Sequence, residues 1–255
     1  MKTGLNVLAL GLLITAWIHA APQTKELPQE IVVLTSMGPE TGVRQLAAAF
    51  QKSTGHKVIV SFEVSLNQKV DANAPADLVA GGPEQIDVFL KQRKVVAGTD
   101  TPFSLAGLGL SVRAGAPKPD IRTPEAFTAA MLAAKSIGYS RGCSGLHAAE
   151  GIAKLGIAEQ MKAKTTLAGP GPVAEYVAKG DFEIGIQQTN VLLGVPGADY
   201  VGPLPGFLNT PCPFSVGLLS VSKQPELART LITFMTSPAA APLLRQANMD
   251  PAHVR

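Results

Sequence analysis

Four polar turns recur along the chain, each where an apolar stretch ends and a helical pattern begins. They span residues 35–38, 64–67, 139–145 and 187–190. Backbone N–H groups in the first turn of a helix lack partners within that helix, and the helix dipole adds partial positive charge there. Each turn is therefore a candidate anion site. Ser and Asn before a helix are also ordinary caps, so it is the recurrence of the turn that indicates a binding cleft.

The side chains of these turns are mainly hydroxyls and amides, which can donate hydrogen bonds to a bound anion. The candidate ligand-binding residues are Ser36, Met37, Gly38, Ser65, Asn67, Ser140, Ser144, Gln187, Gln188 and Asn190. Two of the turns lie in each half of the chain. If the chain folds into two lobes, a cleft between them can be lined from both sides.

Two arginines are candidate cationic ligands, because a guanidinium can hold two oxygens of a carboxylate in a fixed fork. Arg141 lies inside the third turn, and Arg113 follows an extended apolar stretch. The alternative for both is a solvated surface charge. The position of Arg141 among Ser and Gly residues favours a role in ligand binding.

Three residues are candidates for moving a proton, namely His147, Glu63 and Cys143. His147 follows Ser144 by three residues and lies in the first turn of a predicted helix if Ser144 is its cap. The helix dipole there favours the neutral imidazole and the thiolate of Cys143. The alternatives are a surface histidine and a disulfide between Cys143 and Cys212, which the sequence leaves open because side-chain separation decides pairing.

The composition argues against several classes of function. The formal net charge is only +3, from 22 Lys and Arg against 19 Asp and Glu, and no basic run is present, so we expect no nucleic-acid partner. Aromatic residues make up 5% of the chain and the one tryptophan, Trp17, lies in the N-terminal segment, which argues against a sugar ligand. No motif has metal-ligand spacing, so we expect neither a metal nor a cofactor.

The N-terminal segment is typical of a secretory signal. Lys2 precedes an apolar run over residues 7–18 that is too short to span a bilayer, and Ala20 and Ala21 follow it. We expect cleavage near Ala20, so that residues 1–20 are removed and the mature protein is a soluble monomer in the periplasm.

Local signals predict where several helices begin and end. Pro39 is expected to open a helix that ends at Gly55. The buried face of that helix is predicted to be Val43, Leu46, Ala47 and Phe50. Residues 65–68 have the form of a capping box for the next helix, and Thr123 is a predicted cap later in the chain.

From Glu30 onward, strand, turn and helix patterns alternate, which is typical of an α/β fold with helices packed on parallel strands. Two extended apolar segments, residues 101–113 and 214–221, are predicted to cross between lobes. The predicted fold class is α/β and two-lobed, each lobe a mostly parallel sheet flanked by helices, joined by two crossover strands. Residues 21–105 and 215–255 are assigned to the first lobe and residues 106–214 to the second.

Several stretches of the chain carry a resemblance to a known family. They read GHKVIVSFEVSLNQKVDANAPADLVAGGPEQID, GLGLSVRAGAPKPDIRTPEAF, IGYSRGCSGLH and GIQQTNVLLGVPGADYVGPLP. With the opening strand and its turn they cover nearly all of the mature chain, which resembles the periplasmic molybdate-binding family of type II solute-binding proteins. Ser36 and Ser65 match that family in kind. Its Asp-Pro type turn is replaced by residues 141–143, and the added arginine and the amides of residues 187–190 suit a larger, multiply charged organic acid.

This divergent branch is also similar to bacterial aconitate isomerases, which are exported enzymes built on the same fold. That resemblance implies an allylic proton shift, with His147, Glu63 or Cys143 as the base and helix N-termini stabilising the dienolate. Two hypotheses stay open. One is a binding protein that hands a polycarboxylate such as aconitate to an ABC transporter permease. This hypothesis is favoured because most proteins of this fold only bind a ligand. The other is an isomerase that interconverts trans- and cis-aconitate in the same cleft.

Overall fold

The computed structural model describes residues 29–252 as two β-sheets with helices packed on their faces. The predicted signal segment, residues 1–20, lies outside the described residues. Within residues 29–252, no helix is both long enough and apolar enough to span a membrane.

The strands are β1 (Glu30–Thr35), β2 (Lys57–Phe62), β3 (Leu78–Gly81), β4 (Thr101–Ala106), β5 (Leu108–Arg113), β6 (Ile137–Tyr139), β7 (Thr165–Leu167), β8 (Ile184–Gln188), β9 (Ala198–Pro203), β10 (Cys212–Leu218) and β11 (Asp250–Pro251). The helices are α1 (Met37–Thr54), α2 (Leu66–Asp71), α3 (Pro83–Lys91), α4 (Pro124–Ala133), α5 (Cys143–Lys154), α6 (Ala158–Lys162), α7 (Val173–Lys179), α8 (Thr189–Leu192), α9 (Pro225–Met235) and α10 (Ala240–Gln246). A short 3-10 helix covers Gly206–Leu208.

The two sheets share a plan. The first sheet has the strand order β11-β4-β10-β3-β1-β2, and the second has the order β7-β6-β8-β5-β9. β1 pairs in parallel with β2 and β3, and β6 pairs in parallel with β7 and β8. β10 in the first sheet and β5 in the second run antiparallel to their neighbours. Both sheets are therefore mixed, because β10 and β5, the strands that follow the two crossings between the sheets, run against the parallel units.

The sheets are joined where β4 passes into β5 through Gly107. The N–H of Leu108 donates to Oδ1 of Asn209 at 2.6 Å, and Asn209 belongs to the segment that leads back from β9 to β10. The carbonyl of Gly107 accepts from the N–H of Thr189 at 2.9 Å. Ala106 and Leu108 are fully buried in the apolar core. The core therefore continues through the crossing, and the two connections are held side by side.

Helix α1 forms largely as its sequence predicts. Its buried residues include all four of the predicted face, Val43, Leu46, Ala47 and Phe50. Gly55 ends the helix with a left-handed φ of 79°, and its N–H donates to the carbonyl of Gln51. The helix begins at Met37 rather than at Pro39, with Ser36 as its N-cap residue. The helix starts earlier because Ser36 alone connects the end of β1 to the first residue of α1.

The two predicted caps differ in outcome. Thr123 caps α4 as predicted, because its Oγ1 accepts a hydrogen bond from the N–H of Ala126 at 3.2 Å. The prediction of a capping box at residues 65–68 is wrong. Ser65 has a ψ of 52° instead of the extended value that turns a cap side chain toward the helix, and its hydroxyl caps no N–H group among the described residues.

Candidate functional site

A cleft of about 420 Å³ lies between the two sheets, at the ends of their parallel strands. Its lining residues are Ser36, Met37, Gly38, Gly82, Glu84, Gln85, Ser140, Gly142, Cys143, Gly169, Gly171, Gln187, Gln188 and Phe214. The turns after β1 and β3 supply one side, and the turns after β6 and β8 supply the other. This is the position in which open α/β sheets bind their ligands, beyond the carboxyl ends of the strands.

Three helices begin at this cleft, namely α1, α3 and α5. Their N-cap residues are Ser36, Gly82 and Gly142. None of the three makes a side-chain capping hydrogen bond to the described residues, although Ser36 carries a hydroxyl. The N–H groups of the first two residues of α1 and α5 and that of Glu84 in α3 make no backbone hydrogen bond among the described residues. These donors, together with the positive ends of the helix dipoles, remain available to a ligand.

Two buried amides at the end of β8 add side-chain donors. Gln187 is 4% exposed, and its Oε1 accepts the N–H of Val173 at 2.7 Å. A backbone N–H can only donate, so this contact fixes the amide orientation and turns Nε2 of Gln187 toward Sδ of Met37, 3.6 Å away across the cleft. Gln187 therefore presents its NH₂ group from the second sheet toward the first.

Gln188 is oriented by a chain of two hydroxyls. The Oγ of Ser144, which is fully buried, donates to Oε1 of Gln188 at 2.9 Å. A hydroxyl has one hydrogen, so Ser140, whose Oγ lies 2.9 Å from that of Ser144, must donate in turn. Nε2 of Gln188 lies next to Gly38 at the cleft. The Ser140, Ser144 and Gln188 contacts thus hold one amide NH₂ group in the cleft and leave the Ser140 oxygen as an acceptor.

Two glycines allow the close approaches that shape the site. A Cβ on Gly145 would overlap the carbonyl oxygen of Ser140, so only glycine lets the first turn of α5 pack onto its own entry turn. A Cβ on Gly38 would overlap the ring of Phe214. The aromatic ring therefore covers the start of α1 and gives the cleft one apolar wall.

Most of the predicted ligand-binding residues come together in this structure. Those that line the cleft are Ser36, Met37, Gly38, Ser140, Gln187 and Gln188. Ser144 lies directly behind them as the partner of Gln188. Arg141, between Ser140 and Gly142, is exposed and makes no hydrogen bond or ion pair with any residue in the described part of the chain. Its backbone therefore lies at the edge of the cleft, between two lining residues.

Asn190 does not line the cleft. Its Nδ2 donates to the carbonyl of Gly38 at 2.8 Å and to Oγ1 of Thr41 at 2.9 Å. The reason is that α8 is only four residues long and packs against α1. Asn190 therefore joins the second sheet to the first helix and fixes the position of the α1 N-terminus.

The turn after β2 also stays outside the lining. Ser65 is exposed, and Oδ1 of Asn67 accepts from Nε2 of Gln85 at 2.6 Å. Glu63 accepts from the hydroxyl of Ser61 at 2.8 Å and lies 4.0 Å from Nζ of Lys69. Because β2 is the edge strand of the first sheet, the turn that follows it lies beside helix α3 rather than in the cleft.

Arg113 lies at the wrong end of its strand for a ligand role. Leu108, at the start of β5, pairs with Gln188 at the cleft, whereas Arg113 ends the strand opposite Ala198. Five residues of strand separate the two ends, which is about 16 Å. The guanidinium of Arg113 packs over Gly180 instead. Arg113 was a candidate ligand because the sequence does not show that β5 runs antiparallel to β8.

Cys143 and Cys212 form a disulfide, with their Cα atoms 5.9 Å apart. Cys143 therefore has no thiolate in this state, and the prediction that it serves as the base is wrong. The disulfide ties the first residue of α5 to the first residue of β10. In the chain-entropy model, closing a loop of this length stabilises the fold by about 4 kcal/mol.

His147 lies behind the disulfide rather than in the lining of the cleft. Its Nδ1 is 3.1 Å from the carbonyl oxygen of Thr210 and 3.6 Å from Sγ of Cys143. Nδ1 of His147 and the sulfur atoms of Cys143 and Cys212 all lie within 4.8 Å of one another. The two sulfur atoms are bonded to each other in the disulfide. Helix α5 begins at Cys143, one residue before the predicted cap Ser144, so His147 falls in the second turn. The structure does not bring it to the cleft.

The sequence reasoning missed the turn after β3. Gly82, Glu84 and Gln85 line the cleft at the start of α3. The signal was present, because Gly81-Gly82-Pro83 follows an apolar strand and opens a helix, as the other turns do. Glycine and proline carry no polar side chain, however, so this turn lacks the hydroxyl and amide pattern of the other four. Of the described residues in the lining, only Glu84 has an ionisable side chain.

Comparisons with known proteins agree with this architecture. The chain matches the model of the bacterial extracellular solute-binding protein family over residues 31–249. An aconitate isomerase from a Pseudomonas species is 30% identical over 258 aligned residues, covering 97% of each chain. The molybdate-binding protein ModA of Azotobacter vinelandii is 24% identical, covering 85% of this chain and 88% of that protein.

A solved structure of the Azotobacter vinelandii periplasmic molybdate-binding protein superposes with a TM-score of 0.70 at 18% identity. The superposition covers 88% of this chain and 100% of the molybdate-binding protein. The predicted two-lobed α/β fold class is thereby confirmed, as is the resemblance on which it was partly based. The chain belongs to the bacterial extracellular solute-binding protein family and has the type II periplasmic binding protein fold.

Proposed function

We propose that the cleft binds a small organic anion, a polycarboxylate such as aconitate. The observation that carries this proposal is the convergence of three uncapped helix N-termini with the oriented NH₂ groups of Gln187 and Gln188. Backbone and amide N–H groups are neutral donors that can surround several carboxylate oxygens without requiring a buried cation.

The size of the cleft supports an organic ligand over a tetrahedral oxyanion. Its volume of about 420 Å³ is within the range of about 300–1,000 Å³ that is typical of small-molecule sites. An oxyanion with one central atom would leave much of this space to water. The ring of Phe214 offers an apolar surface that suits a short carbon chain more than a bare oxyanion.

The relatives support the same ligand class. Aconitate is named in the relative that is 30% identical to this chain, whereas the molybdate-binding relative is 24% identical. Export to the periplasm and delivery of the anion to an ABC transporter belong to this proposal, because the family is one of extracellular solute-binding proteins.

Arg141 completes the proposed site from the mouth of the cleft. It is exposed, lies between two lining residues, and makes no hydrogen bond or ion pair within residues 29–252. A guanidinium there can close over a carboxylate that the helix N-termini hold from below.

Titration calorimetry with trans-aconitate, cis-aconitate, molybdate and sulfate tests the proposal. We expect either aconitate isomer to bind at least tenfold more tightly than molybdate and sulfate. Arg141→Ala should weaken aconitate binding by more than tenfold, about 1.4 kcal/mol, whereas Arg113→Ala at the far end of β5 should leave it unchanged. Tighter binding of molybdate than of aconitate would contradict the ligand class.

A second candidate function is isomerisation of the bound aconitate. It is favoured by the presence of one carboxylate, that of Glu84, in an otherwise neutral lining, which is an unusual group to place in a site built only to bind anions. The reaction would move a double bond by an allylic proton shift, with the helix N-termini stabilising the dienolate. Incubation with trans-aconitate in heavy water, followed by NMR, would reveal cis-aconitate and deuterium incorporation. Binding without turnover would leave the protein as a binding protein alone.

A further inference from the structure

The three bases predicted from sequence are all unsuited to reach a ligand in the cleft. Cys143 is in a disulfide, His147 lies behind it against the carbonyl of Thr210, and Glu63 is held beside Ser61 outside the lining. An allylic proton shift in this cleft therefore needs a different group. The group must reach the ligand, be ionisable, and be free of protein partners that compete for its lone pairs.

Glu84 meets each of these requirements. It is the second residue of α3, lines the cleft, and makes no hydrogen bond or ion pair with the described residues. Its Oε2 folds back toward Gly82, at 3.4 Å from the position that a Cβ on Gly82 would occupy. Since Gly82 has no side chain, nothing on that residue stands between the carboxylate and the cleft.

Two features at the start of α3 hold the backbone around Glu84 in place. Nε2 of Gln85 donates to Oδ1 of Asn67 at 2.6 Å, which joins the first turn of α3 to α2. Pro83 at the first helical position restricts the backbone directly before Glu84. The backbone that carries the carboxylate is thereby fixed while the side chain remains free to approach a ligand.

We propose that Glu84 is the catalytic base of an aconitate isomerase activity in this cleft, an inference that rests on the second function proposed above. The Glu84 carboxylate removes a proton from the methylene carbon of trans-aconitate, and that C–H electron pair forms the new double bond to the central carbon. The electron pair of the former π bond shifts to the former vinyl carbon. It is delocalised into the carboxylate on that carbon, which gives a dienolate. The Glu84 carboxylic acid then returns a proton to the former vinyl carbon, giving cis-aconitate and the original carboxylate.

This scheme needs no redox partner and no metal, since one proton leaves one carbon and one proton returns to another. The N–H groups of α1 and α5 and the NH₂ groups of Gln187 and Gln188 are placed to stabilise the negative charge that develops on the carboxylate oxygens. One carboxyl can serve both carbons because they are separated by a single atom in the substrate.

The test compares wild type with Glu84→Gln, Glu84→Asp and Asp87→Asn. Asp87 is an exposed carboxylate on the same helix that does not line the cleft, so Asp87→Asn controls for the change of charge on α3. Turnover of trans-aconitate and deuterium incorporation from heavy water are followed by NMR, and Kd is measured by calorimetry.

We expect Glu84→Gln to lower kcat by at least about 100-fold while Kd for aconitate stays equal or falls, because a repulsive charge is removed. Glu84→Asp should retain partial turnover, and Asp87→Asn should match wild type. Turnover in Glu84→Gln within threefold of wild type would overturn the role of Glu84 and leave the isomerase activity standing. Aconitate binding by wild type with no formation of cis-aconitate would overturn the isomerase activity and the role of Glu84 together, but not the binding site.

Discussion

Helices α4 and α5 precede and follow β6 of the second sheet, yet their N-termini are built in opposite ways. Thr123 caps α4 through its hydroxyl, and Glu125 places a carboxylate in the first turn. Helix α5 begins after Gly142, has no side-chain cap among the described residues, and has no acidic residue in its first turn. The first arrangement neutralises the free N–H groups and the dipole, and the second preserves both for another molecule.

Helix α1 shows that the difference does not lie in residue type alone. Ser36 and Thr123 are both hydroxyl residues with extended backbone angles at the N-cap position, and only Thr123 caps its helix. The Ser36 hydroxyl makes no hydrogen bond within the part of the chain that the structure describes. The ends of α1 and α5 that face the cleft thus lack a side-chain cap, at some cost to stability that a bound anion would offset.

Capping α5 from within should give the largest effect. In Gly142→Asp, the new carboxylate can accept the free N–H groups, because φ is −89° and a Cβ at this position meets nothing within 4 Å. We expect aconitate affinity to fall at least about 100-fold, about 2.7 kcal/mol, with the thermal midpoint unchanged or raised. Calorimetry and thermal unfolding check both parts.

Gly142→Asn is the matched control, because its amide oxygen caps without adding charge. It should weaken binding less than Gly142→Asp does. Equal affinity of Gly142→Asp and wild type would mean that the α5 N-terminus does not contact the ligand.

Removing the hydroxyl of Ser144 should give an intermediate effect. Ser144→Ala leaves Oε1 of Gln188 without its donor and frees the amide to rotate, and both groups are buried. We expect aconitate affinity to fall about tenfold and the free energy of unfolding to fall by about 1–3 kcal/mol. Calorimetry and urea unfolding measure the two losses. Retention of full affinity would show that the orientation of Gln188 is not needed.

Removing the cap of α4 should have the smallest effect and none on the ligand. Thr123→Ala is expected to cost about 1 kcal/mol and to lower the thermal midpoint by about 2–4 °C, with aconitate affinity unchanged. A loss of affinity here would break the contrast between the two helices.

The same variant has a second readout at Glu125. The backbone N–H of Glu125 and then the Thr123 hydroxyl lower the pKa of that carboxyl below its ordinary value. A carboxyl with a lowered pKa stabilises the fold above its unfolded pKa, and that contribution is lost as pH falls through the folded value. Thr123→Ala should therefore raise the pKa of Glu125, which an NMR titration follows. An unchanged titration would mean that the hydroxyl does not act on this carboxyl.

Local patterns made much of the fold predictable. The buried face of α1, its end at Gly55 and the cap at Thr123 all depend on residues within a few positions of one another. The recurrence of polar turns after strands likewise brought Ser36, Ser140, Gln187 and Gln188 forward as cleft residues. These features depend on spacing, which a sequence displays directly.

The errors concern relations across the fold. Arg113 was misplaced because strand direction decides which end of β5 meets the cleft. Asn190 was misplaced because α8 turns against α1 after four residues, and Glu84 was missed because its turn is built from glycine and proline. Pairing of Cys143 with Cys212 depends on a Cα separation of 5.9 Å, which is set by the crossing of the chain between the sheets.

The disulfide between Cys143 and Cys212 links the maturation of the protein to its surroundings. It anchors the uncapped start of α5 to β10, so the helix end that presents free donors is covalently held only after oxidation. Thiols stay reduced in the cytosol and oxidise outside it. A chain kept in a reducing compartment would therefore lack both the stabilising crosslink and the covalently fixed helix end.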